Sequence, residues 1–143
     1  MNVSQCMTSI VETIRPDQTL ADAARAMEAG DYGILPVAEN DRLVGMISDR
    51  DIAIRGIGCG HGPETKVSEV MSSDVLYCLS DADVDDVMAN MGETQVRRMP
   101  VIDERKHMVG IVSLSDFAPS SASRTGKSLS EITRPSSKHS QSI

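Results

Sequence analysis

The chain has 143 residues, a formal charge of −7, 2% aromatic residues and no tryptophan. Residues 1–118 carry 10 Lys or Arg against 20 Asp or Glu, whereas residues 119–143 carry 4 against 1, so an acidic body precedes a basic end. Such a body argues against a nucleic-acid-binding protein, which needs basic surface and aromatic stacking platforms, and no apolar run approaches the roughly 20 residues of a membrane span.

The first half of the chain begins with a short strand and an amphipathic helix. Residues 10–14, "IVETI", have a strand-like pattern, and from Leu20 apolar residues recur at the i, i+3, i+4, i+7 spacing of a helix. Thr19 precedes this helix as an expected N-cap. Gly30 lies where a C-terminal glycine would end it.

Two further strands and a second helix follow. The apolar runs 33–37, "GILPV", and 43–48, "LVGMIS", predict strands joined by the polar turn "END". The proline of the first run, and the proline of the matching run "RMPVI" at 98–102, are expected at a strand end or edge, because proline cannot donate to a sheet ladder. A helix is expected to begin at Asp49, directly after the second strand.

The second half of the chain repeats this order in register. "VSEVM" at 67–71 matches "VSQCM" at 3–7, and the offset of 64 residues becomes 65 after one insertion. The predicted elements of the second half are a strand at 74–79, a helix from Val84 capped by Asp83 and ended by Gly92, strands at 98–102 and 108–113, and a helix from Leu114. The agreement along both halves indicates one unit written twice.

This repeat predicts the domain organisation. Residues 1–58 form the first repeat, 59–66 a Gly-rich linker, 67–118 the second repeat and 119–143 a flexible, Ser-rich, basic tail. A unit of about 60 residues is marginal alone, so we expect the two to pack as one pseudo-symmetric domain. Such packing leaves a cleft between equivalent strand ends, and pockets favour such interfaces. We therefore expect two related sites.

One phrase recurs at the same place in both repeats: Gly, two apolar residues, then Ser-x-x-Asp. It contains Ser48 and Asp51 in the first repeat and Ser113 and Asp116 in the second. Ser-x-x-Asp after an apolar run is the pattern of a helix capping box. Recurrence in register also favours a ligand site, because a carboxylate binds a diol through charge-assisted hydrogen bonds. A cap and a ligand site are compatible, and the residues leave both open.

The order of these motifs in two registered copies resembles the tandem CBS-domain module, named for cystathionine β-synthase and also called a Bateman module. The resemblance covers residues 3–118 and is carried by "VSEVM", by "LPV" and "MPV", and by Gly-h-h-Ser-x-x-Asp, where h is apolar. It implies an α+β fold of two pseudo-symmetric β-α-β-β-α repeats packed as one module. "SDRDIAIRG" followed by a second unit is similar to small stand-alone bacterial members.

The resemblance also implies adenosine-nucleotide binding in the cleft between the repeats. In the family's pattern the aspartate takes the ribose hydroxyls, which points to Asp51 and Asp116, and the serine contacts phosphate, which points to Ser48 and Ser113. The remaining implied contacts are Tyr32, Gly33, Ile34, Met46, Val96 and Ile111 around adenine, and Arg50, Arg97 and Arg98 at phosphate.

The two copies differ in the charges near the implied phosphate position. Ser115 stands where the first copy has Arg50, and conversely the second copy has Arg97 and Arg98 where the first has Gly33 and Ile34. In an acidic body, arginines placed there would supply the positive charge that an anion needs. The difference predicts two sites of unequal affinity.

These features predict a regulatory sensor that binds AMP, ADP, ATP or a compound similar to NAD or S-adenosylmethionine. The ligand is regulatory and no cofactor is required; the ligand state would reach a regulated partner through rearrangement of the repeats or of a homodimer. The alternative is a dimerisation scaffold with unoccupied clefts. We expect no enzyme activity, because the three histidines fall in the linker, a turn and the tail.

A third possibility is a redox or metal sensor that uses Cys59 and His61, although two ligands without a second pair are a weak signal. The chain has three cysteines at wide spacing, which fits reduced thiols. The N-terminus lacks a basic start before an apolar stretch. We therefore expect a soluble, cytoplasmic protein with no membrane and no nucleic-acid partner.

Overall fold

The computed structural model describes residues 1–9 and 12–117, so the tail expected at 119–143 lies outside the described residues. The described residues form two compact units, each with its own hydrophobic core. The first unit comprises residues 12–75, and the second unit comprises residues 1–9 together with 76–117.

The first unit is built on a β-hairpin. Its elements are α1 (Leu20–Gly30), β1 (Ile34–Glu39), the antiparallel β2 (Arg42–Ser48) and α2, which runs from Asp49–Asp51 through a π-helical stretch at Ile52–Gly56 into a 3-10 turn at Ile57–Cys59. A 3-10 turn at Val67–Glu69 follows. Apolar side chains from these elements form the core: Ile14, Leu20, Ala23, Met27, Leu35, Val37, Ile47, Val67 and Val70.

The second unit repeats this plan with an added strand. Its elements are a 3-10 turn at Val3–Gln5, β3 (Cys78–Leu79), α3 (Val84–Thr94), β4 (Arg98–Ile102), β5 (Met108–Ser113) and a 3-10 turn at Leu114–Phe117. In the sheet, β4 pairs in parallel with β3 and antiparallel with β5. The core consists of Val3, Cys78, Val84, Val87, Met88, Met91, Met99, Val101, Val112, Leu114 and Phe117.

Both predicted N-caps are confirmed. Thr19 Oγ1 accepts the Asp22 N–H at 3.1 Å at the start of α1, and Asp83 Oδ1 accepts the Asp85 N–H at 2.9 Å at the start of α3. The Asp22 carboxylate in turn accepts the Thr19 N–H, and this hydrogen bond lowers the pKa of Asp22. The helices therefore begin where side-chain oxygens satisfy their first free donors.

The helix α1 ends at Gly30 as predicted, whereas α3 continues beyond Gly92 to Thr94. Gly30 is the last helical residue of α1 and Gly92 lies buried inside α3, so neither takes the left-handed position beyond the helix. That position belongs to Asp31, with φ of 54°, and to Gln95, with φ of 58°. Each donates its N–H to a carbonyl of the last helical turn, so the ends are satisfied without glycine.

The strand expected at 74–79 is shorter than predicted, and of the strand expected at 10–14 only the part from residue 12 is described. Residues 10 and 11 lie outside the described residues, and Ile14 forms a single parallel bridge with Val37. In the second unit only Cys78–Leu79 pairs with β4. Among the described residues, Ile14 therefore extends the first hairpin on one side, and Cys78–Leu79 extends the second.

Pro100 lies in the middle of β4, and β4 is the central strand of its sheet, so the expectation of a strand end or edge is wrong. The parallel ladder from β3 reaches only Val101 and Ile102. Pro100 has no backbone N–H, but no residue of β3 pairs with it, so this missing donor breaks no hydrogen bond between β3 and β4.

The opening segment of each repeat packs in the unit that holds the main part of the other repeat. We call this arrangement the exchange of opening segments. Four isolated β-bridges hold it in place: Asn2–Asp83 and Thr8–Ile111 in the second unit, and Thr19–Lys66 and Met46–Ser72 in the first. The division in space therefore differs from the repeat boundaries expected at 1–58 and 67–118, because hydrogen bonds tie these segments to sequence-distant hairpins.

The glycine of each repeated phrase lies beneath one of these exchanged segments. A Cβ on Gly45 would lie 2.9 Å from the Ser72 carbonyl oxygen, and a Cβ on Gly110 would lie 2.8 Å from the Thr8 carbonyl oxygen. Any side chain at either position would displace the crossing backbone. The glycine of the motif thus allows the exchanged segment to pack directly on the hairpin. The serine and aspartate of the motif follow at the end of that hairpin.

Candidate functional site

The first unit brings its expected site residues to one end of its hairpin. Ile34 pairs with Ser48 across the two strands, and the Gly33 carbonyl accepts the Asp49 N–H at 2.8 Å. Met46 lies two residues before Ser48 and so shares its side of β2. Strand pairing therefore gathers the residues expected around adenine beside the Ser-x-x-Asp motif.

The second unit makes the matching arrangement. Arg98 pairs with Ser113, and the Arg97 carbonyl accepts the Leu114 N–H at 2.9 Å. Ile111 shares the side of β5 on which Ser113 lies, because side chains alternate along a strand. Two arginines thus stand at the hairpin end where the first unit has Gly33 and Ile34.

In the first unit, Ser48 and Asp51 form a complete capping box. Ser48 Oγ accepts the Asp51 N–H at 3.0 Å, and Asp51 Oδ2 accepts the Ser48 N–H at 2.9 Å. Both residues are buried, with 0% and 1% of their surfaces exposed. The predicted helix cap is therefore present in the first unit, and it places the Asp51 carboxylate in a buried position at the start of α2.

Arg55, one helical turn after Asp51, contacts this carboxylate. Its Nη1 lies 3.7 Å from Asp51 Oδ1, and its Nη2 donates to the Met71 carbonyl at 3.1 Å. Sequence reasoning did not place Arg55 in the site. The available signal was the i, i+4 spacing of an acid and a base on a helix.

In the second unit, Ser113 and Asp116 form half of the same box. Asp116 Oδ2 accepts the Ser113 N–H at 2.8 Å, while Ser113 Oγ lies 2.8 Å from Ser115 Oγ. Asp116 and Ser113 are half-buried, in contrast to their counterparts in the first unit. In both motifs the aspartate therefore accepts a hydrogen bond from the backbone N–H of its own serine, but Asp51 is buried and Asp116 is half-buried.

Tyr32, expected beside adenine, is held by a residue that the sequence analysis did not single out. Its hydroxyl donates to Glu12 Oε2 at 2.6 Å, and burial together with this hydrogen bond raises the pKa of Tyr32 to about 12. The partners are 20 residues apart, so no local pattern could reveal them. The second copy has Val96 and Leu76 at these positions, so its corresponding wall is apolar.

The charged groups also differ between the two hairpin ends. Arg50 is exposed at the first and Arg97 and Arg98 at the second, where Ser115 is exposed in place of Arg50. The first hairpin end also carries the exposed carboxylate of Asp49, whereas the second has the buried Leu114 at that position. The local field at the second hairpin end is therefore the more favourable one for an anion.

The structure adds no further ligand to Cys59 and His61 among the residues that it describes. Cys59 is exposed, with Sγ 3.7 Å from the Ile54 carbonyl oxygen. Over residues 1–9 and 12–117, no three His, Cys, Asp or Glu side chains are grouped so as to hold a metal ion. In the same residues, no helix has the length and apolar character needed to span a membrane.

The family profile described as CBS domain matches residues 3–56 and 67–121. The chain is 37% identical over 134 residues to CBS domain-containing protein YhcV of Bacillus subtilis, covering 92% of this chain and 95% of that protein. It is 39% identical over 114 residues to Hypoxic response protein 1 of Mycobacterium tuberculosis, covering 78% and 79% of the two chains.

Solved structures agree with this assignment. The crystal structure of Hypoxic Response Protein I with two coordinated zinc ions superposes with a TM-score of 0.76 at 36% identity, covering 85% of this chain and 99% of that one. The CBS domain pair of protein MJ0100, solved in complex with 5′-methylthioadenosine and S-adenosyl-L-methionine, has a TM-score of 0.70 at 24% identity, covering 83% and 94%, which shows likeness of fold alone. The predicted family and the α+β fold of a CBS pair are confirmed.

Proposed function

Since the chain belongs to the CBS-domain family, we propose that it is a regulatory module that binds an adenosine-containing compound. The candidates are AMP, ADP, ATP, NAD and S-adenosylmethionine. The observation that carries the proposal is the end of the second hairpin, where half-buried Asp116 is bonded to Ser113 and Ser113 pairs with Arg98. A carboxylate and an exposed arginine at the same hairpin end suit a ligand that has both a diol and an anionic group.

Each group at this hairpin end has a part in the proposed binding. Asp116 accepts the ribose hydroxyls, and Ser113 with the exposed Arg97 and Arg98 contacts phosphate. Apolar contact to the base comes from two half-buried side chains, Val96 and Ile111. These roles require no metal and no catalytic group, so the module acts by binding alone.

The first unit supplies comparable groups for a second molecule. In the proposal Asp51 and Ser48 contact the sugar and phosphate, and Arg50 contacts phosphate where the second copy has Ser115. The base would contact Tyr32, Gly33, Ile34 and Met46. Differences in charge and burial between the two hairpin ends support unequal affinities.

Transmission of the ligand state is proposed to run through α2 to a second copy of the chain. Asp51 lies in the first turn of α2, and farther along the same helix Ile54 and Ile57 are 49% and 62% exposed. Two large apolar side chains one turn apart on a helix suit contact with another protein. We propose a cytoplasmic homodimer whose arrangement changes with occupancy and alters a regulated partner.

A thermal-shift panel of AMP, ADP, ATP, NAD and S-adenosylmethionine tests the binding proposal. A ligand present at 100 times its dissociation constant should stabilise the protein by about 2.7 kcal/mol. Asp116→Asn removes the charge of the carboxylate at nearly constant volume and should reduce the shift. Absence of a shift with all five compounds would refute the proposal.

The second candidate is a dimerisation scaffold that binds no nucleotide. The observation in its favour is that Ser48 and Asp51 are buried within a capping box. A scaffold would remain dimeric in light scattering, would show no shift with the panel, and would lose the dimer in an Ile57→Glu variant. A nucleotide-dependent shift that Asp116→Asn reduces would exclude it.

A further inference from the structure

Arg55 holds the carboxylate that the first unit would offer to a ligand. Its Nη1 lies 3.7 Å from Asp51 Oδ1, while its Nη2 is fixed by a 3.1 Å hydrogen bond to the Met71 carbonyl. The other Asp51 oxygen accepts the Ser48 N–H, and only 1% of the Asp51 side chain is exposed. Arg55 therefore lies beside the Asp51 oxygen that a sugar hydroxyl would approach.

The second copy of the motif lacks this cation. In the register of the repeat, Asp51 corresponds to Asp116 and Arg55 corresponds to Ser120. Ser120 lies outside the described residues, but serine has no cationic group with which to pair a carboxylate. Asp116 is half-buried, and among the described residues its carboxylate accepts a hydrogen bond from Ser113 alone.

The neighbouring charges point the same way. Exposed Asp49 at the start of α2 offsets the attraction of the neighbouring Arg50 for an anion, whereas buried Leu114 holds the place of Asp49 in the second unit. The exposed Arg97 and Arg98 lie at the second hairpin end. Both the diol-binding carboxylate and the anion-binding charge are thus more available in the second unit.

We propose that Arg55 is an internal competitor for Asp51, so that the site at Asp116 fills first and the site at Asp51 fills only at higher ligand concentration. This inference rests on the adenosine-binding function proposed above. The Arg55 guanidinium lies 3.7 Å from the Asp51 oxygen that a ribose hydroxyl would approach, so binding of the sugar competes with the Arg55–Asp51 ion pair. Arg55 is accordingly a specificity-determining residue.

Isothermal titration with adenosine tests the competition, because adenosine has the diol but no phosphate that Arg55 could bind instead. The titration is made in an Asp116→Asn background, which isolates the first site. Arg55→Ser, the residue of the second copy, should tighten adenosine binding about fivefold, the most that a half-exposed ion pair contributes. Arg55→Gln, which retains a donor for Met71 without the charge, should tighten it in the same direction.

The controls separate this inference from the proposed function. 2′-Deoxyadenosine lacks one hydroxyl of the diol and should gain less than adenosine from Arg55→Ser. In the protein with Arg55 intact, Asp116→Asn should abolish the tighter binding step and Asp51→Asn the weaker one. Adenosine binding that neither Arg55 variant tightens, or a tighter step that depends on Asp51, overturns the inference and leaves the proposed function in place. Failure of every adenosine compound to bind overturns both.

Discussion

Replacing Asp51 by alanine should destabilise the protein more than replacing Asp116 by alanine, although both residues occupy the same position of the repeated motif. Asp51 is buried and accepts the Ser48 N–H at 2.9 Å, so its removal takes an acceptor from a donor that is also buried. Such a loss costs about 1–3 kcal/mol. The lost attraction to half-exposed Arg55 adds up to about 1 kcal/mol. We expect Asp51→Ala to lower the free energy of unfolding by about 2–4 kcal/mol.

Asp116→Ala removes a similar hydrogen bond in a more open setting. The Ser113 N–H donates to Asp116 at 2.8 Å, but both residues are half-buried, so water can replace the carboxylate. The expected loss is about 1 kcal/mol, the scale of a lost N-cap. Urea unfolding followed by circular dichroism, without nucleotide, gives the free energy of unfolding of both variants from the midpoint and slope of the transition.

A charge-neutral variant separates the two contributions at Asp51. Asp51→Asn keeps an oxygen that can accept the Ser48 N–H but removes the charge that attracts Arg55, so it should cost less than alanine. Costs for Asp51→Ala and Asp116→Ala that agree within about 0.5 kcal/mol, or a larger cost at Asp116, would refute the reasoning from burial.

Three further outcomes are expected. Gly110→Ala should lower the free energy of unfolding by about 1–3 kcal/mol in urea unfolding, because its Cβ would displace the crossing N-terminal segment. Tyr32 should titrate near pH 12 in NMR of its ring, and Glu12→Gln should lower this pKa only in part, because burial is its larger cause. Since the folded pKa lies above the ordinary value of 10, the stabilisation tied to Tyr32 is present below pH 10 and is lost as the pH rises to about 12. A thiol reagent should modify exposed Cys59 well before buried Cys78, whose pKa burial raises to about 11.

Each of these outcomes has a matched control. Gly58→Ala should cost little, because its Cβ would lie at an ordinary 3.4 Å from its nearest neighbour. For the tyrosine titration, a pKa that Glu12→Gln leaves unchanged would contradict the hydrogen-bond contribution. For the cysteines, labelling in denaturant should abolish the difference in rate, and equal rates in the folded protein would contradict the burial of Cys78.

Local patterns were sufficient to predict much of the fold. The helices α1 and α3, the two hairpins and the caps at Thr19 and Asp83 follow from periodicity and capping chemistry, which act over a few residues. The exchange of opening segments could not be predicted in this way, because self-similarity aligns "VSQCM" with "VSEVM" but does not say which hairpin each one crosses. Gly45 and Gly110 are required because the crossing segment leaves no room for a side chain, but only the structure shows which segment crosses them.

The residues of the candidate site that strand pairing brings together could be predicted from the sequence. Contacts with residues far away along the chain could not. Ile34 and Ser48, or Arg98 and Ser113, meet because a hairpin brings its ends together. For Arg55 the i, i+4 spacing to Asp51 is a local signal, whereas its hydrogen bond to the Met71 carbonyl could not be predicted, because Met71 belongs to the opening segment of the other repeat.

The two Ser-x-x-Asp motifs show why an identical motif need not make an identical site. In both units the aspartate accepts the N–H of its serine, so capping uses one carboxylate oxygen in each copy. Under the proposed function a ligand would bind the same carboxylate, and the residues that lie against its second oxygen are outside the motif. In the first unit Arg55 lies against that oxygen, and the residue four places after Asp116 is a serine. We therefore expect the residue four places after the aspartate, rather than the motif itself, to decide whether the capped carboxylate also binds a ligand.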